Sequence, residues 1–167
     1  MSGKTITFAN SKTETVFERH AWKVLLFFSL FMALIGLPDL LAGGSYYQGG
    51  GASTLQGITG MTWEQLEATS PNAAAMIDFK VRMGGLRYIF LGLFSMAIVL
   101  TGFRRGERWA WVTMWLFPFF FASHSLVILR AYKHPEAGTP EPLLSGLAIF
   151  AITALTLALS YRKFFPK

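Results

Sequence analysis

Residues 104–108, Arg-Arg-Gly-Glu-Arg, separate two runs of mainly apolar sequence, 84–103 and 109–129, and this spacing constrains the fold more than any other feature. A spanning helix takes about 20 residues, because with no water in the bilayer core every backbone amide must be satisfied within the helix. Five residues cannot cross a bilayer but do suffice for a helical hairpin. The two runs are therefore antiparallel neighbours. Two further apolar runs, 20–41 and 143–161, complete a set of four. The expected fold is all-α, a four-transmembrane-helix bundle forming one domain over residues 1–167, with a loop at 42–83.

Orientation follows from where the cations lie. With the arginine turn in the cytoplasm, both termini fall on the same side. Ten Lys/Arg are then inside (Lys4, Lys12, Arg19, Lys23, Arg104, Arg105, Arg108, Arg162, Lys163, Lys167) and five outside (Lys80, Arg82, Arg87, Arg130, Lys133). Trp22, Trp109, Trp111 and Tyr161 mark the inner boundary, and Tyr46, Tyr47, Tyr88 and Tyr132 the outer one, as aromatic belts do. The expected location is the plasma membrane, multi-pass, with both termini cytoplasmic. No A-x-A cleavage site follows the first apolar run, so it reads as a retained helix and not a signal peptide.

Composition narrows the function. The chain is 53% apolar, 16% aromatic and only 14% charged, far from a soluble protein's balance. It has no cysteine, which removes disulfides, thiolate nucleophiles, Cys-ligated zinc and iron–sulfur clusters. The net charge of +6 forms no basic stripe or recognition motif, so nucleic acid is not an expected partner.

Local signals place helix ends. Ser11-Lys-Thr-Glu14 is a capping-box pattern that would start a surface helix leading into the first span. In the outer loop, 43–60 is rich in Gly, Ser, Tyr and Thr and reads as a flexible connection. Thr62-Trp-Glu-Gln65 is a second capping box, opening a helix through Thr69. Ser70-Pro71 places an N-cap and an N1 proline before a helix running on toward the second span, where Gly84-Gly85 is a candidate interruption. Pro118 should bend the third span by freeing the Met114 carbonyl. Ala148, Ala151 and Ala158 form a small-residue stripe expected to pack within the bundle first, and to serve an oligomer contact second.

Ionisable residues within spans are costly, about 2.5–3.5 kcal/mol for charged types, and so are functional candidates. Asp39 ends the first span, Arg87 opens the second, and His124 lies between Ser123 and Ser125 in the third, about 22 Å along from Trp109. Two readings follow. Asp39, Arg87 and His124 surround the head group of a lipophilic ligand whose tail lies along Phe117, Phe119, Phe120 and Phe121. Alternatively Asp39 pairs with Arg87, Arg82 with Asp78, and His124 bonds between helices. His20 and His134 are too far along the chain from the membrane interior to pair with His124, so no metal or haem site is expected. No cofactor is predicted; a quinone or a lipid is compatible with such a pocket. No pair of carboxylates lies within a span, so no catalytic residue is assigned, and His124 is the nominee if the chain is a small isomerase or oxidoreductase.

From Arg82-Met-Gly84-Gly85 through the second span to Glu107-Arg108-Trp109-Ala-Trp111, the chain resembles small prokaryotic membrane proteins of the DoxX-like type. That resemblance implies a four-helix bundle and association with membrane redox systems or quinone. No functional position carries over from it. The expected function is a non-enzymatic accessory subunit of a larger membrane complex, or of a homo-oligomer, with the lipid bilayer as its other partner. The alternative is a binder or carrier of a lipid, quinone or other lipophilic small molecule through a pocket in the outer leaflet.

Overall fold

The computed structural model describes residues 15–166. Helix α1 (Val16–Ala42) leads through a 3-10 segment (Gly43–Gln48) to α2 (Ala52–Thr59) and α3 (Trp63–Thr69). Helix α4 (Pro71–Ile98) closes with a π-helical turn (Val99–Phe103), followed by α5 (Arg108–Met114) and α6 (Leu116–Ala131). A short 3-10 turn (Pro135–Ala137) precedes α7 (Glu141–Leu159) and α8 (Tyr161–Phe164). Four helical stretches, Val16–Gln48, Pro71–Phe103, Arg108–Ala131 and Pro142–Leu159, are long and apolar enough to cross a membrane, the pattern of a multi-pass membrane protein.

Helix α1 begins on a capping box one turn later in the chain than Ser11-Lys-Thr-Glu14, which lies outside the described residues. The Thr15 hydroxyl accepts from the Glu18 amide at 3.2 Å, and the Glu18 carboxylate accepts from the Thr15 amide at 2.8 Å. Thr62 and Gln65 form the same reciprocal pair at the start of α3. At Ser70-Pro71 the proline occupies the first turn of α4 as its fixed φ favours, but the serine side chain makes no capping bond. Pro118 acts where expected: with no amide to offer Met114, the helix breaks at Trp115 and divides the third span into α5 and α6.

Helix α1 packs along α4, α6 packs along α7, and α7 closes the bundle against α1. The first of these contacts depends on glycine. A Cβ at Gly85 would lie 2.5 Å from the Gly36 carbonyl oxygen, and one at Gly92 would lie 2.6 Å from the Ser29 oxygen. Gly84-Gly85 therefore does not interrupt α4. The continuous helix uses Gly85 for close backbone approach and leaves Gly84 facing open space.

The bundle has two unlike ends. At the basic end, with Arg104, Arg105, Arg162 and Lys163, one core cluster joins Leu25 of α1, Val99 and Phe103 of the π turn, Met114, Phe117, Leu157 and Phe164. Phe103 and Phe164 meet at 4.7 Å between ring centroids. The Trp111 indole donates to the Leu157 carbonyl at 2.9 Å, and Arg108 to that of Phe164 at 3.1 Å. The opposite end is a cap built from residues 43–70, where Leu55, Trp63, Leu66 and Ala74 form a second, smaller cluster.

Two expectations are corrected here. Residues 43–60 are not a flexible connection but a 3-10 segment and a helix, held because Tyr47 stacks on Trp63 at 6.0 Å and the Gly57 carbonyl accepts the Lys133 and His134 amides at 2.7 and 2.9 Å. The alanine stripe does not pack within the bundle. Ala148, Ala151 and Ala158 are all exposed, because α7 turns Ile149, Thr153, Thr156 and Leu157 inward instead.

Candidate functional site

Beneath the cap, α1, α4, α6 and α7 line a partly open cavity of about 680 Å³. Each wall comes from a different element. Helix α1 supplies Phe31, Ile35, Pro38 and Asp39; α4 supplies Ile77, Lys80, Val81, Gly84 and Tyr88. Helix α6 contributes Phe121, His124 and Ile128, and α7 contributes Ser145, Gly146 and Ile149. Tyr46, Tyr47, Thr54 and Ile58 roof it from the cap. Small side chains help to leave the hollow: Gly84 meets nothing within 4 Å and Ser145 lines the α7 wall, where the packed end carries Leu, Met and Phe, while Gly146 lets α7 approach Ser125 of α6.

Asp39 and His124 thus share one cavity, on opposite walls. Arg87 does not join them. It is exposed on α4, two positions past Gly85, which faces α1, and so points away from the cavity. Among the described residues Asp39 makes no salt bridge, so the expected Asp39–Arg87 pair does not form. Tyr88 occupies the place foreseen for Arg87. Its hydroxyl lies 3.5 Å from His124 Nε2, at the outer limit of a hydrogen bond, linking α4 to α6.

The phenylalanine run divides in three. Phe121 lines the cavity floor. Phe120 stands behind the wall, stacked on His124 at 6.2 Å and edge-on to Tyr88 at 5.9 Å, where it holds both rings in place. Phe117 belongs to the packed core, and Phe119 is exposed.

Arg82 and Asp78 form their expected ion pair at 2.9 Å, and it has a structural task. The Arg82 guanidinium donates to the Leu40 and Leu41 carbonyls at 3.0 Å each, satisfying acceptors left open at the end of α1. Asp78 accepts the Gly44 amide at 2.7 Å. The pair ties the end of α1 and the 3-10 segment to α4, and so fixes Tyr46 and Tyr47 over the cavity.

Chemically the walls are aliphatic and aromatic surface with a few separated polar groups, and the volume falls in the roughly 300–1,000 Å³ range typical of ligand pockets. Among the described residues no three His, Asp or Glu side chains come together as a metal-binding group. Sequence reasoning missed Tyr88, Tyr46, Tyr47 and Lys80 as wall residues. The tyrosines were absorbed into an interfacial belt, and only the ordering of 43–60 brings two of them over the hollow. No protein-family model, curated protein or solved structure matches this chain.

Proposed function

We propose that this protein binds or carries a lipophilic small molecule, held in the cavity beneath the cap with its polar head near Asp39, Tyr88 and His124. One observation carries the reading: four helices that enclose a filled core at one end line a cavity of about 680 Å³ with largely apolar walls at the other. The bias of ten Lys/Arg against five supports an orientation with the basic end and both termini in the cytoplasm. In that orientation the cap helices α2 and α3 lie on the outer face of the plasma membrane, and the cavity sits at the depth of the outer leaflet. A lipid and a quinone both suit the volume, and the resemblance to DoxX-like proteins points toward membrane redox systems. The accessory-subunit reading is the competitor, in which the cavity is incidental and the exposed apolar faces meet a larger partner.

One preparation separates the two. The protein is purified from native membranes in mild detergent, and its organic extract is analysed by mass spectrometry beside Gly84→Phe and Ala151→Phe. Gly84 faces open space, so phenylalanine there fills the hollow, whereas Ala151 is exposed outside it. The expected result is a retained molecule in wild type and Ala151→Phe, reduced at least several-fold in Gly84→Phe. An unchanged profile in all three, with a protein partner co-purifying, sinks the binding reading and favours the accessory subunit.

A further inference from the structure

The cavity's charge and aromatic content narrow the class of ligand. We infer that the site selects an amphiphile with a cationic head, an amine or quaternary ammonium, seated between the Asp39 carboxylate and the ring of Tyr88. This inference rests on the proposed lipophile site and specifies its head-group chemistry.

Three observations carry it. First, Asp39 is a half-buried carboxylate on the cavity wall with no salt bridge among the described residues. The neighbouring carboxylate, Asp78, is already engaged by Arg82 and the Gly44 amide, so Asp39 is the one left to meet a ligand. Second, Tyr88 lines the same cavity one turn of α4 beyond Gly85, the residue at which Asp39 packs. Aromatic faces attract organic cations through their quadrupoles, most strongly where water is excluded. Third, the cations nearest in sequence are placed elsewhere. Arg82 is spent on the α1 carbonyls, and Arg87 is exposed outside the cavity. Lys80 does line the wall, but Asp39 packs at Gly85, five residues and about 7.5 Å further along α4 from Lys80. Lys80 therefore sits toward the cap, and Asp39 faces the deeper part of the space, beside Tyr88. A compact, weakly hydrated ammonium with an alkyl tail matches this arrangement: the charge meets Asp39 and Tyr88, and the tail follows Phe31, Ile35 and Ile149. A carboxylate or phosphate head at this level would lie against the Asp39 carboxylate.

Native mass spectrometry in a neutral sugar detergent tests this with three probes of equal tail length: dodecyltrimethylammonium, 1-dodecanol and dodecanoate. Wild-type protein should retain the ammonium at least tenfold better than the alcohol, and the carboxylate least. Asp39→Asn, which keeps the side-chain size, should bring the ammonium down to the level of the alcohol while leaving the alcohol unchanged. Gly84→Phe should lower retention of every probe that binds. If the three probes bind equally and Asp39→Asn changes nothing, the cationic preference is wrong and the lipophile site stands. If none is retained above the Gly84→Phe background, both the preference and the site are overturned.

Discussion

At the level of Phe103 the long helices close on one another through large side chains. Leu25, Met114, Phe117, Leu157 and Phe164 are all but fully buried there. Twelve residues earlier on α7, a little over three turns away, Ser145 lines open space, with Gly84 across on α4. The same four helices thus enclose a filled core at one end and a hollow at the other. The difference lies in side-chain volume and not in backbone architecture. It also lies in what stabilises each end: dispersion contacts between fitted side chains in the packed half, and in the hollow half hydrogen bonds and an ion pair that tie the rim together. A bundle that needed only to pack would fill both ends.

The largest effect should come from emptying the filled end. Phe103→Ala should cost about 3–5 kcal/mol, mostly lost packing and an unfilled cavity, read as a fall in thermal midpoint in detergent. Placing a side chain where two backbones touch comes next. Gly85→Val should cost about 1–3 kcal/mol, because the Gly36 carbonyl cannot yield without moving α1. By contrast Gly84→Leu, one residue away, should lie within about 0.5 kcal/mol of wild type in the same measurement. A large loss at Gly84 would mean that the hollow is needed for folding, which would break the comparison.

The rim is tested separately from the core. Arg82→Ala removes the donors to Leu40 and Leu41 and frees Asp78, so amide exchange should accelerate across 40–48 while residues around Phe103 keep their protection. Uniform acceleration would show that the two ends do not behave independently. The most local effect belongs to Thr62→Ala, which removes one reciprocal cap from α3 at about 1 kcal/mol, confined to exchange in the 62–70 region.

Most of the backbone plan was legible in the chain, because long apolar runs and a five-residue turn leave few alternatives. The α3 capping box and the Asp78–Arg82 pair were also readable, being local signals three and four residues apart. What escaped was non-local. Gly84 and Gly85 look alike in sequence, yet Gly85 meets α1 and Gly84 meets empty space, a distinction set by helix rotation. Residues 43–60 read as flexible from their glycines, but Trp63 and the 132–134 segment supply the contacts that order them. Asp39 and His124 were found as intramembrane polar groups, while Arg87 was drawn in by depth alone, and depth does not report which way a side chain points. Tyr88, one residue further on, faces the hollow.

The most direct test places a heavy atom in the cavity. A structure of the protein purified with a 12-bromododecyl ammonium amphiphile should show bromine density deep in the hollow, near Phe121 and Ile149, with the head between Asp39 and Tyr88. Density confined to the outer helix faces, with the space between Gly84, Tyr88 and His124 unfilled, would contradict the claim that this end of the bundle is a binding site.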